Sequence, residues 1–314
     1  LAEVNGFISF ISIFRYNGSM KSLTYREVQA KGILNGVRGE DDWFGLTYNM
    51  NLYRGCEHQC IYCDTRSACY RIENFDEEVL VKTNALALLE DALPRKRKLG
   101  VIGFGSMNDP YTPAEDVYGL TGEALKIVAR YRFPVHIITK SDRVLKDLAT
   151  LQRINQVKAR VSFTVTTTDE ALAAKIEPGA PPPARRLAAM AQLAEAGIET
   201  GLVMMPILPF IEDSPENIRS IVAAAVAHQA DYIIPSFGVT VREGQREHFY
   251  RKLDEHFPGM RQRYERAFGD SYFCPATNSQ ELEKLFRSLC AEHGLRTQLS
   301  PWPPKPQVDQ PPLF

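Results

Sequence analysis

From residue 46 onward the apolar positions change rhythm in a repeating way. A short apolar or alternating run is followed by a longer stretch with apolar residues three and four apart, and the pair recurs. Strands are predicted over Leu46–Tyr53, Val101–Ser106, Val135–Thr139, Arg160–Thr166, Gly201–Ile207 and Tyr232–Phe237. Helical spacing runs through Glu78–Leu93, Thr121–Arg130, Arg143–Ile154, Ala184–Ala196 and Ile218–Gln229. Gly197 marks the end of one helix. Asp213-Ser214-Pro215-Glu216 opens the next, with Ser214 as cap and Pro215 in the first turn.

Six β–α units in series predict an α/β fold with a parallel sheet and helices outside it. Such a sheet closes as an eight-unit barrel, stays open as a partial barrel, or is doubly wound. The number of units favours a partial (β/α)6 TIM-type barrel over residues 45–242. In all three cases ligands belong at the C-terminal ends of the strands. Beyond residue 243 the strand signal stops. Gln245–Phe257, Met260–Phe268 and Gln280–His293 read as a C-terminal helical cap within 243–298, and 299–314 is a Pro-rich tail. Residues 20–44 form an N-terminal segment. Residues 1–19 read either as an upstream extension ahead of a start at Met20 or as a β-prone arm packed on the domain.

Composition narrows the class. The chain has 314 residues, 44% of them hydrophobic, enough for a full core. With 37 basic and 38 acidic residues, no overall charge points to nucleic acid, which leaves room only for a local basic surface. The basic run Arg95–Lys98 precedes the second strand, so it belongs on the face away from the ligand end, as a solvated loop. Six cysteines are too few for a disulfide scaffold and suit a reducing, cytoplasmic setting. No run reaches the roughly 18 apolar residues of a membrane span.

Three of the cysteines, Cys56, Cys60 and Cys63, fall in GCEHQCIYC with C-x3-C-x2-C spacing and an aromatic, Tyr62, before the last. Thiolates in this pattern bind a soft metal centre: zinc, copper(I) or iron–sulfur. Zinc would need a fourth ligand, for which His58, Cys69 and the distant Cys274 are the candidates, and His58 inside the loop would crowd a tetrahedral ion. Spacing favours iron–sulfur with one iron open to another molecule.

The loop follows the first strand of a repeated β–α domain, and in this the chain resembles the radical S-adenosylmethionine (SAM) superfamily. Four blocks in order, NLYRGCEHQCIYC, GFGSMNDPYTPAE, ITKSDRVLKDL and IEPGAPPPARR, resemble its spore photoproduct lyase-like, "DNA repair photolyase" branch. The resemblance implies a 4Fe-4S cluster on Cys56, Cys60 and Cys63. It implies SAM bound to the open iron, reductive cleavage of SAM to a 5′-deoxyadenosyl radical, and hydrogen abstraction from a substrate. It also implies an electron donor of flavodoxin or ferredoxin type and, in that branch, a DNA lesion as substrate.

The same likeness locates the SAM contacts. Tyr62 is the aromatic of the cluster loop. Ser106, Asn108 and Asp109 end the second strand, where short polar groups suit the SAM ammonium, although Asn-Asp-Pro is also turn chemistry. Lys140 ends the third strand and would meet the SAM carboxylate, or else it is a rim lysine. Thr164 and Thr166 share a strand face with Ser162 and would reach the ribose, or else they reflect β propensity. Arg186 offers a fork for a carboxylate, or else a surface ion pair.

Two departures from the lyases stand out. They carry a further cysteine downstream of the cluster that returns a hydrogen atom to the product, where this chain has Ser106-Met107. They carry a tyrosine just after the last cluster cysteine, where this chain has Asp64. Cys69, Cys274 or Cys290 would have to substitute, and Cys290 reads as core. The alternative substrates are a peptide, tRNA or small metabolite, and a non-enzymatic metal module is the remaining reading. The last five residues, with Gln310, Leu313 and Phe314, resemble the peptide with which bacterial repair proteins dock on the replication sliding clamp.

Overall fold

The structure is a computed structural model, in which residues 9–16, 19–39, 41–72 and 74–303 are described, with side chains from residue 23 on. Its strands are β1 (Ser9–Tyr16), β2 (Ser19–Val28), β3 (Leu34–Gly36), β4 (Tyr48–Met50), β5 (Tyr53–Arg54), β6 (Glu78–Lys82), β7 (Ile102–Phe104), β8 (Val135–Thr139), β9 (Ala159–Thr164), β10 (Glu199–Met204), β11 (Tyr232–Pro235), β12 (Gly238–Thr240) and β13 (Phe273–Pro275). The helices are α1 (Ala85–Ala92), α2 (Glu115–Tyr118), α3 (Leu120–Arg130), α4 (Leu148–Ile154), α5 (Glu170–Ile176), α6 (Pro183–Glu195), α7 (Pro215–Ala227), α8 (Gln245–His256), α9 (Met260–Phe268) and α10 (Ser279–Glu292).

Strands β4, β7, β8, β9, β10 and β11 lie parallel and adjacent in chain order, and β3 adds an antiparallel edge beside β4. A doubly wound sheet reverses its strand order once; this one does not, so right-handed crossovers bring the helices that connect these strands to one face. The sheet ends at β11 and β3 and does not close.

Alternation along the strands divides the sheet into two chemically different faces. Met50, Phe104, Ile137 and Val161 stand side by side in register and point to the helices. They join one core with Leu125 and Val128 of α3, Met190 of α6 and Ile221 of α7. The other face reads Asn49–Gly103–His136–Arg160–Glu199 in its first row and Ile138–Ser162–Gly201–Tyr232 in the next. Burying one face against helices and leaving the other polar is what a concave, ligand-holding sheet requires.

Four local predictions need correction. Leu46–Tyr53 is two strands, of which β4 belongs to the main sheet and β5 to a second one. Glu78–Leu93 begins as a strand: Val79 and Val81 are fully buried and their neighbours half-buried, and β6 lies between β2 and β5 in the sheet β1-β2-β6-β5. That pairing, with residues far away in sequence, overrides the helical spacing. Arg143–Ile154 is a tight 3-10 segment, Asp142–Asp147, leading into α4. Past residue 243 the chain is not all helix, because β13 pairs with β12. The helix signals hold: Ser214 Oγ accepts from Asn217 N at 3.1 Å with Pro215 behind it, and Gly197 follows α6 with φ +81°.

A second apolar cluster joins the cysteine loop to the C-terminal helices. Cys60, Ile61 and Tyr62 pack with Phe249, Leu253, Tyr264 and Cys274. The helical cap therefore buttresses the loop. At the opposite end of the strands the chain returns: Ile233 N donates to Arg296 O at 2.9 Å, and the Arg296 guanidinium meets Glu199 at 2.5 Å.

Candidate cofactor site

The cysteine loop leaves β5 through Gly55, at φ +93°, where a Cβ would lie 2.9 Å from Glu78 O. It turns at Gln59, φ +53°. It is then gripped by segments from elsewhere in the chain. Ile61 N donates to Ile176 O and Gly179 N donates to His58 O, both at 2.9 Å. A Cβ on Gly179 would sit 2.0 Å from Glu57 O, so the EPG sequence fits against the loop only as bare backbone. On the other side the Glu57 carboxylate accepts from Tyr25 Oη at 2.7 Å and from the Thr112 hydroxyl. Gln245 Nε2 of α8 donates to Tyr62 O at 3.0 Å.

So held, Cys56, Cys60 and Cys63 line one cavity of about 370 Å³ at the C-terminal ends of the strands. Tyr62, Ser106, Asn108, Asp109, Lys140 and Thr164 line it too. Polar atoms of its wall that are buried without a hydrogen-bond partner include Asn108 Oδ1 and His58 Nε2. Among the described residues no three His, Cys, Asp or Glu side chains are grouped to hold a single metal ion. Cys69 is exposed, Cys274 lies in the cap core, and His58 faces Asp109. The zinc set weighed from the sequence is therefore not assembled. Three thiols around a cavity, with unpaired polar groups in its wall, fit an iron–sulfur cluster with a polar ligand beside it.

Charges in this wall are closely coupled. Asp109 Oδ1 accepts from Tyr111 N at 2.9 Å and Thr139 Oγ1 at 2.6 Å, and Oδ2 from Lys140 N at 2.6 Å. Burial would raise its pKa; His58 and these donors outweigh that and hold it at about 2. Burial likewise works against a charged His58, but Cys56 and Asp109 raise that ring to about 10. Lys140 Nζ lies 3.7 Å from Glu177 Oε1 and 5.6 Å from the centre of the Tyr62 ring. Burial opposes its charge, and Cys60 and Glu177 nonetheless hold its pKa above the ordinary lysine value. The Tyr62 hydroxyl donates to Glu177; burial and then the Glu177 charge push that phenol well up. Burial raises the Cys60 and Cys63 thiols, against the pull of Lys140 and Arg66 respectively.

Two residues expected at SAM lie outside the cavity wall. Arg186 is 1% exposed: its guanidinium meets Glu177 at 2.5 Å, Pro181 O at 2.7 Å and Thr164 O at 2.9 Å. It holds Glu177 in place beneath Lys140 and Tyr62. Thr166 sits beyond the end of β9 against Glu212, and its carbonyl accepts from Asn217. Sequence reasoning missed Gly105, Arg242 and Phe273, which also line the wall. Gly105 was readable in GFGS: at φ +98° a Cβ there would meet Ile138 O at 2.0 Å. The others follow from the β12–β13 pairing, which leaves no periodic signal.

Residues 50–222 match the family model of the radical SAM superfamily, and the chain belongs to that superfamily. An uncharacterized protein of Mycobacterium tuberculosis is 28% identical over 293 residues, 91% of this chain and 86% of its own length. One of Methanocaldococcus jannaschii is 33% identical over 171 residues, 54% of this chain and 63% of its own. Among solved structures, spore photoproduct lyase complexed with dinucleoside spore photoproduct is similar in fold. Its TM-score is 0.63 at 14% identity, over 86% of this chain and 79% of that one. A variant of that lyase with bound AdoMet and dinucleoside spore photoproduct gives 0.61 at 17% identity, over 82% and 78%.

Membership implies a 4Fe-4S cluster and SAM as cofactors, for which the three-thiol cavity is the fitting place. No helix among the described residues is long and apolar enough to cross a membrane.

Proposed function

We propose that this chain is a radical SAM enzyme that holds a 4Fe-4S cluster on Cys56, Cys60 and Cys63 and SAM in the adjoining cavity. When bound, that pair supplies one-electron reductive cleavage of SAM and hydrogen abstraction from a substrate. The observation that carries the reading is the convergence of three loop thiols with unpaired polar wall atoms in one cavity. Asn108 Oδ1 would accept from the SAM ammonium, with Ser106 beside it. Lys140, kept charged by Cys60 and Glu177, would pair with the SAM carboxylate. The Thr164 hydroxyl is on the wall nearest the middle of the sheet and would meet the ribose. Asp109 and Arg186 would act by fixing these groups, since their own hydrogen-bonding capacity is spent on protein partners. Six parallel strands in chain order support the partial-barrel form of the fold.

A DNA lesion is the substrate we favour, on the likeness in fold to a lyase complexed with dinucleoside spore photoproduct. Ser106-Met107 and Asp64 replace the thiol and tyrosine of those lyases, so the hydrogen return must differ, and a peptide, tRNA or small metabolite is the second reading. A flavodoxin- or ferredoxin-type protein would supply the electron. Gln310, Leu313 and Phe314 lie outside the described residues; docking on the sliding clamp through them is proposed from the sequence alone, and calorimetry of the tail peptide against the clamp tests it.

The deciding experiment is anaerobic reconstitution, then incubation with SAM and dithionite, with and without UV-irradiated DNA. Iron binding with 5′-deoxyadenosine formation is expected. A protein that binds no iron overturns the cluster. Cleavage without any change in the DNA overturns the lesion as substrate. In Lys140→Met, SAM affinity should fall about tenfold or more while iron content is unchanged, as for a lost charge-assisted hydrogen bond.

A further inference from the structure

The strand pair β12–β13 gives the cavity a rim that neither the cluster nor SAM accounts for. Thr240 and Phe273 are cross-strand partners there. Val241 N donates to Tyr272 O at 2.8 Å one step further, which brings Arg242 beside Tyr272. Phe273 lines the cavity and is nonetheless 43% exposed, and Tyr272 next to it is 53% exposed. A large apolar ring that belongs both to a cavity wall and to the surface stands at the mouth. Gly238 seats it: a Cβ there would come within 2.5 Å of Phe273 Cζ, so the ring rests on bare backbone. Covered on that side, it keeps its exposure for the other. Arg242 lines the same cavity. Its Nε lies 3.1 Å from Asp64 Oδ1, Nη1 lies 3.6 Å from Cys69 Sγ, and Nη2 donates to the Tyr272 hydroxyl. These contacts fix the guanidinium plane and engage one N–H each; a guanidinium has five, so donors remain for a further partner.

We infer that this rim seats one unpaired nucleobase of a nucleic-acid strand, stacked on Phe273, with Arg242 donating to the phosphate of the same nucleotide. This rests on the reading that the cavity is where substrate meets SAM, and it narrows the substrate from a nucleic acid to a single exposed base. A flat ring open on one side accepts any base by its π face, and a guanidinium held beside it recognises the oxyanion that every nucleotide carries. A base inside a duplex has both faces covered by its neighbours. The strand must therefore arrive single-stranded or with the base turned out of its stack. An aromatic side chain of a peptide would use the ring and leave the guanidinium idle, so a nucleotide is the occupant that engages both features. Phe273 and Arg242 bind and orient; neither takes part in bond making.

The measurement is fluorescence anisotropy of short labelled oligothymidine on the reconstituted protein, with iron content determined on the same samples. The single strand should bind about tenfold more tightly than the same strand in a duplex, or than an abasic strand with as many phosphates. Phe273→Ala should remove that advantage and leave the affinity for the abasic strand unchanged, and Phe273→Trp should restore it. Arg242→Met should weaken both strands and lower the salt dependence by about one phosphate contact. An oligouridine of equal length identifies the source: Phe273-dependent binding of either strand upholds the base site, and the tighter one names the nucleic acid. Equal affinity for base-bearing and abasic strands, or wild-type binding by Phe273→Ala, overturns the inference, while iron uptake and SAM cleavage in the same samples keep the cluster reading. A peptide rich in aromatic residues that binds as tightly as the strand overturns it as well. Phe273-dependent binding by protein that takes up no iron upholds the base site and overturns the cluster instead.

Discussion

Two buried histidines, one on the cysteine loop and one on the polar side of the sheet, show how the two ends of the strands differ. At the C-terminal ends of the strands, His58 has one ring nitrogen against Asp109 and the other unpaired in the cavity wall. At the N-terminal ends, His136 uses both: Nδ1 meets Phe44 O at 3.1 Å and Nε2 meets Ser162 Oγ at 2.7 Å, which in turn bonds Tyr232 Oη at 2.7 Å. Below them Glu199 gathers Lys158, Arg160 and Arg296. Both ends come from the same strand alternation and both are polar. The His136–Ser162–Tyr232 chain satisfies its ring nitrogens with protein; His58, in the wall lined by the three thiols, does not. Polarity of a sheet face thus marks where a site could be, and unspent hydrogen-bonding capacity beside chemically capable groups narrows where it is.

The largest effect that would test this contrast is at the cavity end. Cys60→Ala should abolish iron binding after anaerobic reconstitution, measured as iron per chain, whereas Tyr232→Phe should leave it unchanged. Next comes the buried pair beneath the cavity. Arg186→Met leaves the Glu177 carboxylate, 1% exposed, with only Lys140 and the Tyr62 hydroxyl as partners, and should cost up to ~3–5 kcal/mol in urea unfolding. A pair of glycines then separates the ends directly. Gly179→Ala forces a Cβ to 2.0 Å from Glu57 O and should lower iron content several-fold by displacing the loop. Gly201→Ala drives a Cβ to 2.5 Å from the Tyr232 ring; it should cost ~1–3 kcal/mol of stability as an overpacked site, with iron content intact.

The smallest effect concerns acid at the His136 end. Burial, with Arg160 adding to it, lowers His136 to about 3. The unfolded ring, near its ordinary value of ~6.5, takes up a proton that the folded ring refuses. Its contribution to stability is therefore complete above that value and falls as pH drops towards 3, by at most ~1.4 kcal/mol per pH unit. Glu199 is held at about 2, by Arg160, Lys158 and Arg296 against the effect of burial, and loses its contribution only below the ordinary carboxylate range. Between about pH 7 and pH 5, burial holds His248 down as well, to about 3, and His256 lower than usual, while burial pushes the Glu212 carboxyl up and works in the opposite sense. The share of His136 is read from the difference: His136→Asn should reduce the slope of urea-unfolding stability in that interval, and a slope unchanged in the variant would remove His136 as a source.

Much of this was legible in the sequence because the helix-facing side of the sheet writes itself as alternation. Val135, Ile137, Val161 and Phe163 could hardly lie elsewhere. The thiols, Asn108 and Lys140 were found because chemistry collects at strand ends. What escaped depends on pairing between distant segments. The alternation in Glu78–Lys82 acquires meaning only beside β2 and β5. Arg242 and Phe273 reach the cavity through a strand pair whose members are separated by two helices. Arg186 was recognised as a carboxylate fork, and its partner is the protein's own Glu177. Side-chain type showed the capacity to bind, and burial decided which capacity was already used.

The grip on the cysteine loop also has a bearing on the order of events in synthesis. Tyr25 precedes the loop, but Thr112, Gly179 and Gln245 come after it, the last 183 residues beyond Tyr62. The thiols leave the ribosome long before the segments that shape them. Until α8 has been made, they belong to a loop without its mould, free to bind stray metal or to oxidise. A cluster held there would accordingly be loaded only after α8 has been made.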